Sequence, residues 1–497
     1  MEPNKVLKYT LIVSIGGFLF GFDASVISGV LIYITPDFDL DPLNTGWVVS
    51  SPAFSAMFAM LSSGLLSDRI GRKKTLQIVA VIYFISALLS TISQSIVGIA
   101  LARMLGGLAF GGALIVVPIY ISEIAPANKR GRLVSLQQLN IVFGFLAAYF
   151  SNYIITLYFG ASIHKDLLWR LMLGVEIAPA LLYLMLLRNI PESPVWEHQQ
   201  KKRAVAPNET IGSKFSGWIR IQRVYLQELW SPSWRNIFLI AIFIGIIQQI
   251  TGINAIFFYA TSIFEKTGVG IDASLAQTVI IGVVNIVFTL VALVTIDRLG
   301  RRFLLLAGLA GIIISMGITS YGFMQQSYQL SNSIIEEMEV VEPPPMGIFE
   351  SISSESYQNE EDFKLALERA WSQYHESDLE PNLYAQLVKG ARMIEHPWMV
   401  LMGILGFVAS FACSLGPVMW VLLSELFSDT HRGLAISIVG FLNSLASWLT
   451  QFLFPLELNI LGDSFTYGSY AVIALIGWIV IYYYLPETKN KLITEVK

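Results

Sequence analysis

The chain has 497 residues, 54% hydrophobic and only 14% charged, whereas soluble domains average about 25% charged. With a mean hydropathy of +0.61 and many apolar runs near 20 residues, this excludes a soluble enzyme and points to an all-α membrane protein. The net charge of -4 says nothing about partners, because charge here is partitioned by side of the membrane, and the single cysteine, Cys413, excludes an internal disulfide or a cysteine metal site.

Met1 to Lys8 is short and basic, and the apolar stretch after it is a full span without an A-x-A exit, so no cleavable signal is expected. Twelve spans are read, at about 9–32, 47–66, 75–93, 96–121, 133–157, 167–187, 237–264, 274–296, 303–323, 398–424, 433–453 and 466–485. Most of the 32 Lys and Arg fall on the side of the N-terminus, which places both termini in the cytoplasm and the protein in the cell (inner) membrane. Asp23 lies in the middle of the first span and Arg103 early in the fourth. A lone charge at the bilayer centre costs about 2.5–3.5 kcal/mol, so the two are expected to pair. Paired, Asp23 stays ionised; separated and dehydrated, it takes a proton. A static pair that never titrates is the other reading.

Residues 1–188 are read as an N-terminal six-helix bundle, 189–236 as a cytoplasmic helical linker with amphipathic character from Lys214 to Trp230, and 237–497 as a C-terminal bundle. The seventh span carries Gln248, Gln249 and Asn254, which are costly in hydrocarbon unless partnered. They are therefore expected to face the bundle interior or a wet cavity. Between them, Thr251 and Gly252 mark a place where the helix can bend. Three amides beside a weak point, followed by Phe257, Phe258 and Tyr259, suit a neutral, hydroxylated, ring-shaped ligand; amides that only join neighbouring helices are the alternative. An acidic segment, 325–396, interrupts the second bundle on the extracytoplasmic side. Pro343-Pro344-Pro345 breaks it, Phe363, Leu367, Ala370 and Trp371 have helical spacing, and it is read as a tolerated insertion rather than a lid or partner-binding element.

The chain repeats itself six spans apart. Asp68-Arg69-Ile70-Gly71-Arg72-Lys73 returns as Asp297-Arg298-Leu299-Gly300-Arg301-Arg302. Ser122-Glu123-Ile124 with Lys129-Arg130-Gly131 returns as Ser424-Glu425-Leu426 with His431-Arg432-Gly433, and Pro191-Glu192-Ser193 as Pro486-Glu487-Thr488. Three motif pairs in one order imply two homologous halves.

With Gly16-Gly17-Phe18-Leu19-Phe20-Gly21-Phe22-Asp23, the QQxxGIN run at 248–254, PESP at 191–194, Gly416-Pro417 with Trp420, and PETK at 486–489, the chain resembles the sugar porter family of the major facilitator superfamily, in particular its bacterial proton-coupled xylose and hexose symporters. The resemblance covers every span and omits only the insertion. It implies two pseudo-symmetric six-helix bundles with a sugar site at mid-membrane. That site would be built from Gln138, Gln248, Gln249, Asn254, Asn285, Asn443 and the ring face of Trp420. Amides both donate and accept, as a sugar hydroxyl does, and an aromatic face suits the C–H side of a sugar. Ser444 departs from the family, where a tryptophan is common, and Val195 stands where PESP is usually followed by arginine. The resemblance also implies proton coupling at Asp23 with Arg103. It implies a cytoplasmic gate from Asp68, Arg69, Arg72, Glu123, Arg130 and Glu192, mirrored by Asp297, Arg298, Arg301, Glu425, Arg432 and Glu487. The positive-inside rule accounts for the bases alone, not for Glu123 and Glu425.

The function expected is import of a monosaccharide, pentose or hexose, with a proton by alternating access. The expected partners are the sugar, the proton and the lipid bilayer, with no cofactor, no metal, no nucleic acid and no enzymatic chemistry. There is no GxxxxGK[ST] motif for ATP. A proton-independent facilitator shares every motif except Asp23. A sugar sensor fits less well, since the chain after Leu485 is short, and an organic-ion antiporter would need further charge at the site.

Overall fold

The structure, a computed structural model, describes residues 3–126, 129–205, 226–232, 234–330, 355–357, 360–372, 384, 387–388, 390–427 and 429–487. The first half comprises α1 (Pro3–Asp37), α2 (Pro42–Ile70), α3 (Arg72–Ile92), α4 (Ile96–Ile124), α5 (Arg130–Phe159), and the pair α6 (Lys165–Gly174) and α7 (Ile177–Leu186). After α8 (Pro194–Val205), the second half comprises α9 (Arg235–Ile250), α10 (Ile253–Glu265), α11 (Ile271–Leu299) and α12 (Arg301–Met324). Beyond the insertion come α14 (Pro397–Cys413), α15 (Leu415–Leu426) and α16 (Asp429–Tyr484). Helix starts follow local chemistry. Asp41 caps α2 by accepting from the Asn44 amide (2.6 Å) with Pro42 in the first turn, and Ser95 caps α4 through the Gly98 amide (3.1 Å).

Among the described residues eleven helical segments are long and apolar enough to cross a membrane, counting α6 with α7, α9 with α10 and α14 with α15, and the last contains two crossings. At 1.5 Å per residue the 56 residues of α16 would run about 84 Å, far beyond a hydrocarbon core of about 30 Å. Gly462 (φ 77°) breaks it in two, giving the twelve spans expected. Their number puts the start of α1 and the end of α16 on one face, here called the terminal face; the opposite face carries the insertion.

Within the first half α1 packs on α5 and α4 on both α2 and α3; within the second, α12 packs on α14 and α16, and α9 on α16. Small residues permit the tightest crossing: a Cβ at Gly21 would lie 2.0 Å from the Ile141 carbonyl, and one at Gly144 2.1 Å from that of Phe18. The halves meet through α1 with α10, α2 with α16, and α5 with α11. Toward the insertion face, Ser28 Oγ lies 2.9 Å from Thr261 Oγ1, and Tyr149 OH donates to the Phe257 carbonyl at 2.7 Å. Phe54 packs on Trp448 (centroids 5.3 Å) and Trp47 on Phe452 (6.3 Å).

The insertion folds locally. β1 (Gln326–Tyr328) pairs antiparallel with β2 (Arg392–Ile394), and α13 (Glu360–Ser372) turns Phe363, Leu367 and Ala370 into a small core with Tyr328, Leu330, Leu387 and Ala391. The helical spacing read around Phe363 is therefore realised. Asp463, just past the α16 break, pairs with Lys266 at the end of α10 (2.9 Å) and with Arg392 on β2. The triproline and most of the amphipathic stretch from Lys214 lie outside the described residues.

Candidate functional site

The seventh span breaks where Thr251 and Gly252 were expected to weaken it. Gly252 has φ 93°, a left-handed conformation that glycine alone adopts cheaply. The break separates α9, which ends with Gln248 and Gln249, from α10, which begins with Asn254, and it turns the three amides toward α15 and α16. Gln248 Nε2 donates to the Leu415 carbonyl (2.8 Å). Asn443 Nδ2 donates to the Gly245 carbonyl and to Gln248 Oε1 (both 2.7 Å). Gln249 Nε2 donates to Gln248 Oε1 and to Asn443 Oδ1 (both 3.2 Å), and Asn254 Nδ2 donates to Gln249 Oε1 (2.8 Å) and Ser447 Oγ (2.7 Å). The four amides thus form one continuous chain, nearly buried.

The other residues expected at this site are placed as follows. Trp420 stands one turn beyond Gly416 in α15, 46% exposed, against Gly440 of α16. Gln138 is exposed and lies two and three turns before Phe145 and Tyr149, the α5 residues that touch Phe257. Helical periodicity therefore turns it to the second half. Asn285 is buried in α11, outside the described bonds of the amide chain. Ser444 lies 3.6 Å from Met60 Sδ of α2, across the junction of the halves.

Asp23 and Arg103 meet as expected. Arg103 Nη1 is 3.5 Å from Asp23 Oδ1, and Nη2 donates to the Asp23 carbonyl at 3.3 Å, both residues at most 3% exposed. Gly106 leaves the space: a Cβ there would lie 3.0 Å from Asp23 Oδ2. Asp23 Oδ2 and Arg103 Nε have no hydrogen-bond partner among the described residues. The sequence reading missed a third charge, Glu176, buried at the break between α6 and α7 and close enough to Asp23 and Arg103 to interact with both. The signal was there: an acid inside an otherwise apolar span.

On the terminal face the repeated motifs make repeated bonds. Arg72 pairs with Asp68 and Glu123 (both 2.8 Å) and donates to the Ser67 carbonyl, while Glu192 accepts from the Arg72 and Lys73 amides. In the second half Arg301 pairs with Glu425 (2.7 Å) and donates to the Ile296 carbonyl, while Glu487 accepts from the Arg301 amide. Gly71 (φ 104°) and Gly300 (φ 90°) sit against these glutamates at equivalent turns. Each of these pairs lies within one half. Arg69, Arg130 and Arg298 are exposed and Arg432 half-buried; the Asp297 side chain lies outside the described residues.

The sequence profile of the family described as Sugar (and other) transporter matches residues 9–336 and 389–497, so the unmatched stretch falls within the insertion. A glucose transport protein of Synechocystis is 31% identical, over 100% of this chain and 98% of its own. The arabinose-proton symporter of Bacillus subtilis is 29% identical, over 100% and 97%. The inward-open structure of the xylose transporter XylE from E. coli is 27% identical, covers 99% of each chain, and superposes with a TM-score of 0.72. These are integral membrane transporters, not enzymes, and the XylE structure shares the fold seen here. The chain belongs to the Sugar (and other) transporter family and has the fold of the major facilitator superfamily.

Proposed function

We propose that the protein imports a monosaccharide, a pentose or hexose, together with a proton by alternating access between its two halves, 1–188 and 237–497. The terminal face, where basic residues concentrate, is taken as cytoplasmic. The observation that carries the reading is a direct contact. The helix that holds Asp23 touches the helix that holds Asn254, through Ser28 Oγ and the Thr261 amide (3.0 Å) and hydroxyl. A change of charge at Asp23 and a change of ligand at the amides thus act on one joint.

In this scheme sugar is held by Gln248, Gln249, Asn254, Asn285, Asn443 and Trp420 on the second half and by Gln138 on the first. Asp23 carries the proton, and Arg103 and Glu176 set its electrostatic surroundings. Protonation of Asp23 releases Arg103 toward Glu176, and deprotonation recaptures it, so the first half alternates between two charge arrangements. Paired clusters around Arg72 and Arg301, whose arginine side chains are largely buried, form the cytoplasmic gate and bias two nearly equal states. A proton crossing 100 mV supplies about 2.3 kcal/mol, which at about 1.4 kcal/mol per decade concentrates a neutral sugar roughly fifty-fold. Relatives named as arabinose-proton and D-xylose-proton symporters support the pairing of cargo and ion.

The test is uptake of radiolabelled sugars by proteoliposomes with an imposed proton gradient. Accumulation is expected to collapse with uncoupler and in Asp23→Asn, while sugar counterflow survives in that variant. Wild-type uptake indifferent to uncoupler identifies a facilitator instead.

A further inference from the structure

The amides at the end of α9 and the start of α10 keep their places only while the break between them keeps its angle. A tyrosine leans on that break. A Cβ at Gly252 would lie 2.5 Å from Tyr470 Cε2, so the Tyr470 ring rests against the backbone of the break itself. Tyr470 belongs to the second crossing of α16, beyond the kink at Gly462. Its ring is 2% exposed and stacks on Phe454 of the first crossing (centroids 6.4 Å, interplanar angle 17°). Its hydroxyl donates to Glu457 Oε2, also on the first crossing, at 2.9 Å. Glu457 and Tyr470 therefore brace the two crossings of α16 against each other across the kink.

Charge pairing does not explain Glu457. It is half-buried and forms no ion pair among the described residues. The two bases on neighbouring segments, Lys266 at the end of α10 and Arg392 on β2, both go to Asp463. A carboxylate withdrawn from water without a base is costly, and the one described bond of this carboxylate is the one from Tyr470. Bonds of that kind, to an ionised acceptor, are roughly twice as strong as neutral ones. The place of Glu457 along the helix is equally specific. Asn443, Ser447, Gln451, Phe454 and Glu457 recur every three or four residues and so share one face of α16. On this face Asn443 and Ser447 bond the amides of α9 and α10. Gln451 Nε2 donates to Ser447 Oγ (2.9 Å), and the Gln451 carbonyl accepts from Tyr259 of α10 (3.0 Å). Glu457 ends the stripe on the insertion side, and through Tyr470 it reaches the glycine that joins α9 to α10.

We infer that Glu457 is a positioning residue for the site: it touches no substrate, and by holding the Tyr470 ring against Gly252 it sets the angle at which α9 and α10 present their amides to Asn443. This rests on the sugar-site reading above and adds to it a residue fourteen positions along α16 from Asn443, about 21 Å at helical rise. The bond, rather than the charge, carries the effect. A side chain that can still accept from the Tyr470 hydroxyl keeps the ring in place, and one that cannot accept lets it drift from the break.

The experiment is a double-mutant cycle read in sugar affinity. Calorimetric binding of D-glucose, D-xylose and L-arabinose is measured on the purified full-length protein, as wild type, Glu457→Leu, Tyr470→Phe, the two together, and Glu457→Gln. Leucine removes the acceptor, phenylalanine removes the donor while keeping the ring and its stacking on Phe454, and glutamine keeps an acceptor without the charge. Affinity is expected to fall at least fivefold in Glu457→Leu and in Tyr470→Phe, to fall no further in the double variant, and to return to within twofold of wild type in Glu457→Gln. Melting temperatures of all five proteins are recorded alongside. A lower melting temperature with unchanged affinity shows a bond that serves folding alone and overturns the inference. So do a Tyr470→Phe protein that binds as wild type, losses that multiply in the double variant, and a Glu457→Gln protein as weak as Glu457→Leu. Wild type that binds none of the three sugars overturns the sugar-site reading and this inference with it, whereas wild type that binds while the variants are indifferent overturns this inference alone.

Discussion

Substituting Gly252 tests whether the break in the seventh span is a built part of the site. A residue with a Cβ at φ 93° costs about 1–2 kcal/mol in the left-handed region. The new methyl would also lie 2.5 Å, 2.6 Å and 3.0 Å from Cε2, Cδ2 and Cζ of Tyr470. That ring cannot swing aside freely. It is 2% exposed, lies 6.4 Å between centroids from Phe454, and donates its hydroxyl to Glu457 Oε2 at 2.9 Å. Overpacking of this kind adds about 1–3 kcal/mol, so Gly252→Ala should destabilise by ~2–5 kcal/mol in total. Because the break orients Gln249 and Asn254, sugar affinity should fall as well, by at least tenfold. The matched control is Gly317→Ala in α12, where no heavy atom lies within 4 Å of the new Cβ and φ is ordinary; helix propensity predicts a gain of about 0.5–1 kcal/mol there. Thermal melts in detergent with calorimetric sugar binding give both readouts. A Gly252→Ala protein that melts and binds as wild type would refute the assignment of the break to the site.

Other consequences concern the joint, the gate and the insertion. Ser28→Ala removes two hydrogen bonds across the halves, about 1 kcal/mol each. Cysteine labelling from the insertion face should rise several-fold, and unchanged labelling would take Ser28 out of the joint. Arg72→Ala leaves Glu123 and Asp68 without their shared base in the first half, as Arg301→Ala does for Glu425 in the second. Both variants should lose most transport while retaining detergent-solubilised sugar binding, and a defect in only one would argue against a symmetric gate. Burial alone would raise the Asp463 carboxyl, but the Lys266 ammonium and Arg392 guanidinium prevail and hold it below the usual carboxylate range. Its folded pKa is depressed, so its contribution is present above the unfolded value of about 3.9 and is lost as pH falls through the folded one. Proteolysis of 325–396 should therefore be slow and unchanging from neutral pH down to about pH 4, and faster at every pH in Asp463→Asn; equal rates for the two proteins would show that the carboxylate does not hold the insertion.

What the sequence revealed and what it hid follow from the range of each interaction. The spans, the repeat and the break at Gly252 are local patterns, and the α13 helix is readable from Phe363, Leu367 and Ala370 because they recur at helical spacing. The pairing of Asp23 with Arg103 was legible because two opposite charges in apolar runs need each other. Glu176 was passed over although it lies in the middle of the span read at 167–187, because no opposite charge in its own span marks a partner for it. Ser447 and Gln451 gave no sign at all. Hydroxyls inside membrane helices usually bond back to their own backbone, as Thr450 does to the Ala446 carbonyl, so nothing in the sequence marks Ser447 as the acceptor that fixes Asn254. The triad of Lys266, Arg392 and Asp463 joins three distant segments and had no local signature.

The two halves repeat the same turn, the same arginine and the same glutamates at the terminal face, yet they diverge in the membrane. The first half buries charge: Asp23, Arg103 and Glu176 lie together, with Asp23 Oδ2 without a hydrogen bond among the described residues. The second half buries neutral amides, four of them, Gln248, Gln249, Asn254 and Asn443, linked in one hydrogen-bonded chain. A duplicated unit would begin with equal chemistry on both sides, and the proposed import scheme reads the difference as a division of labour. In that scheme net charge changes on one side while hydroxyls are read on the other, and a charged pair would compete poorly for a neutral sugar already surrounded by amides. Coupling then needs no shared residue. It needs only that α1 and α10 cannot move apart without breaking the Ser28–Thr261 contact, five residues beyond Asp23 on one helix and seven beyond Asn254 on the other.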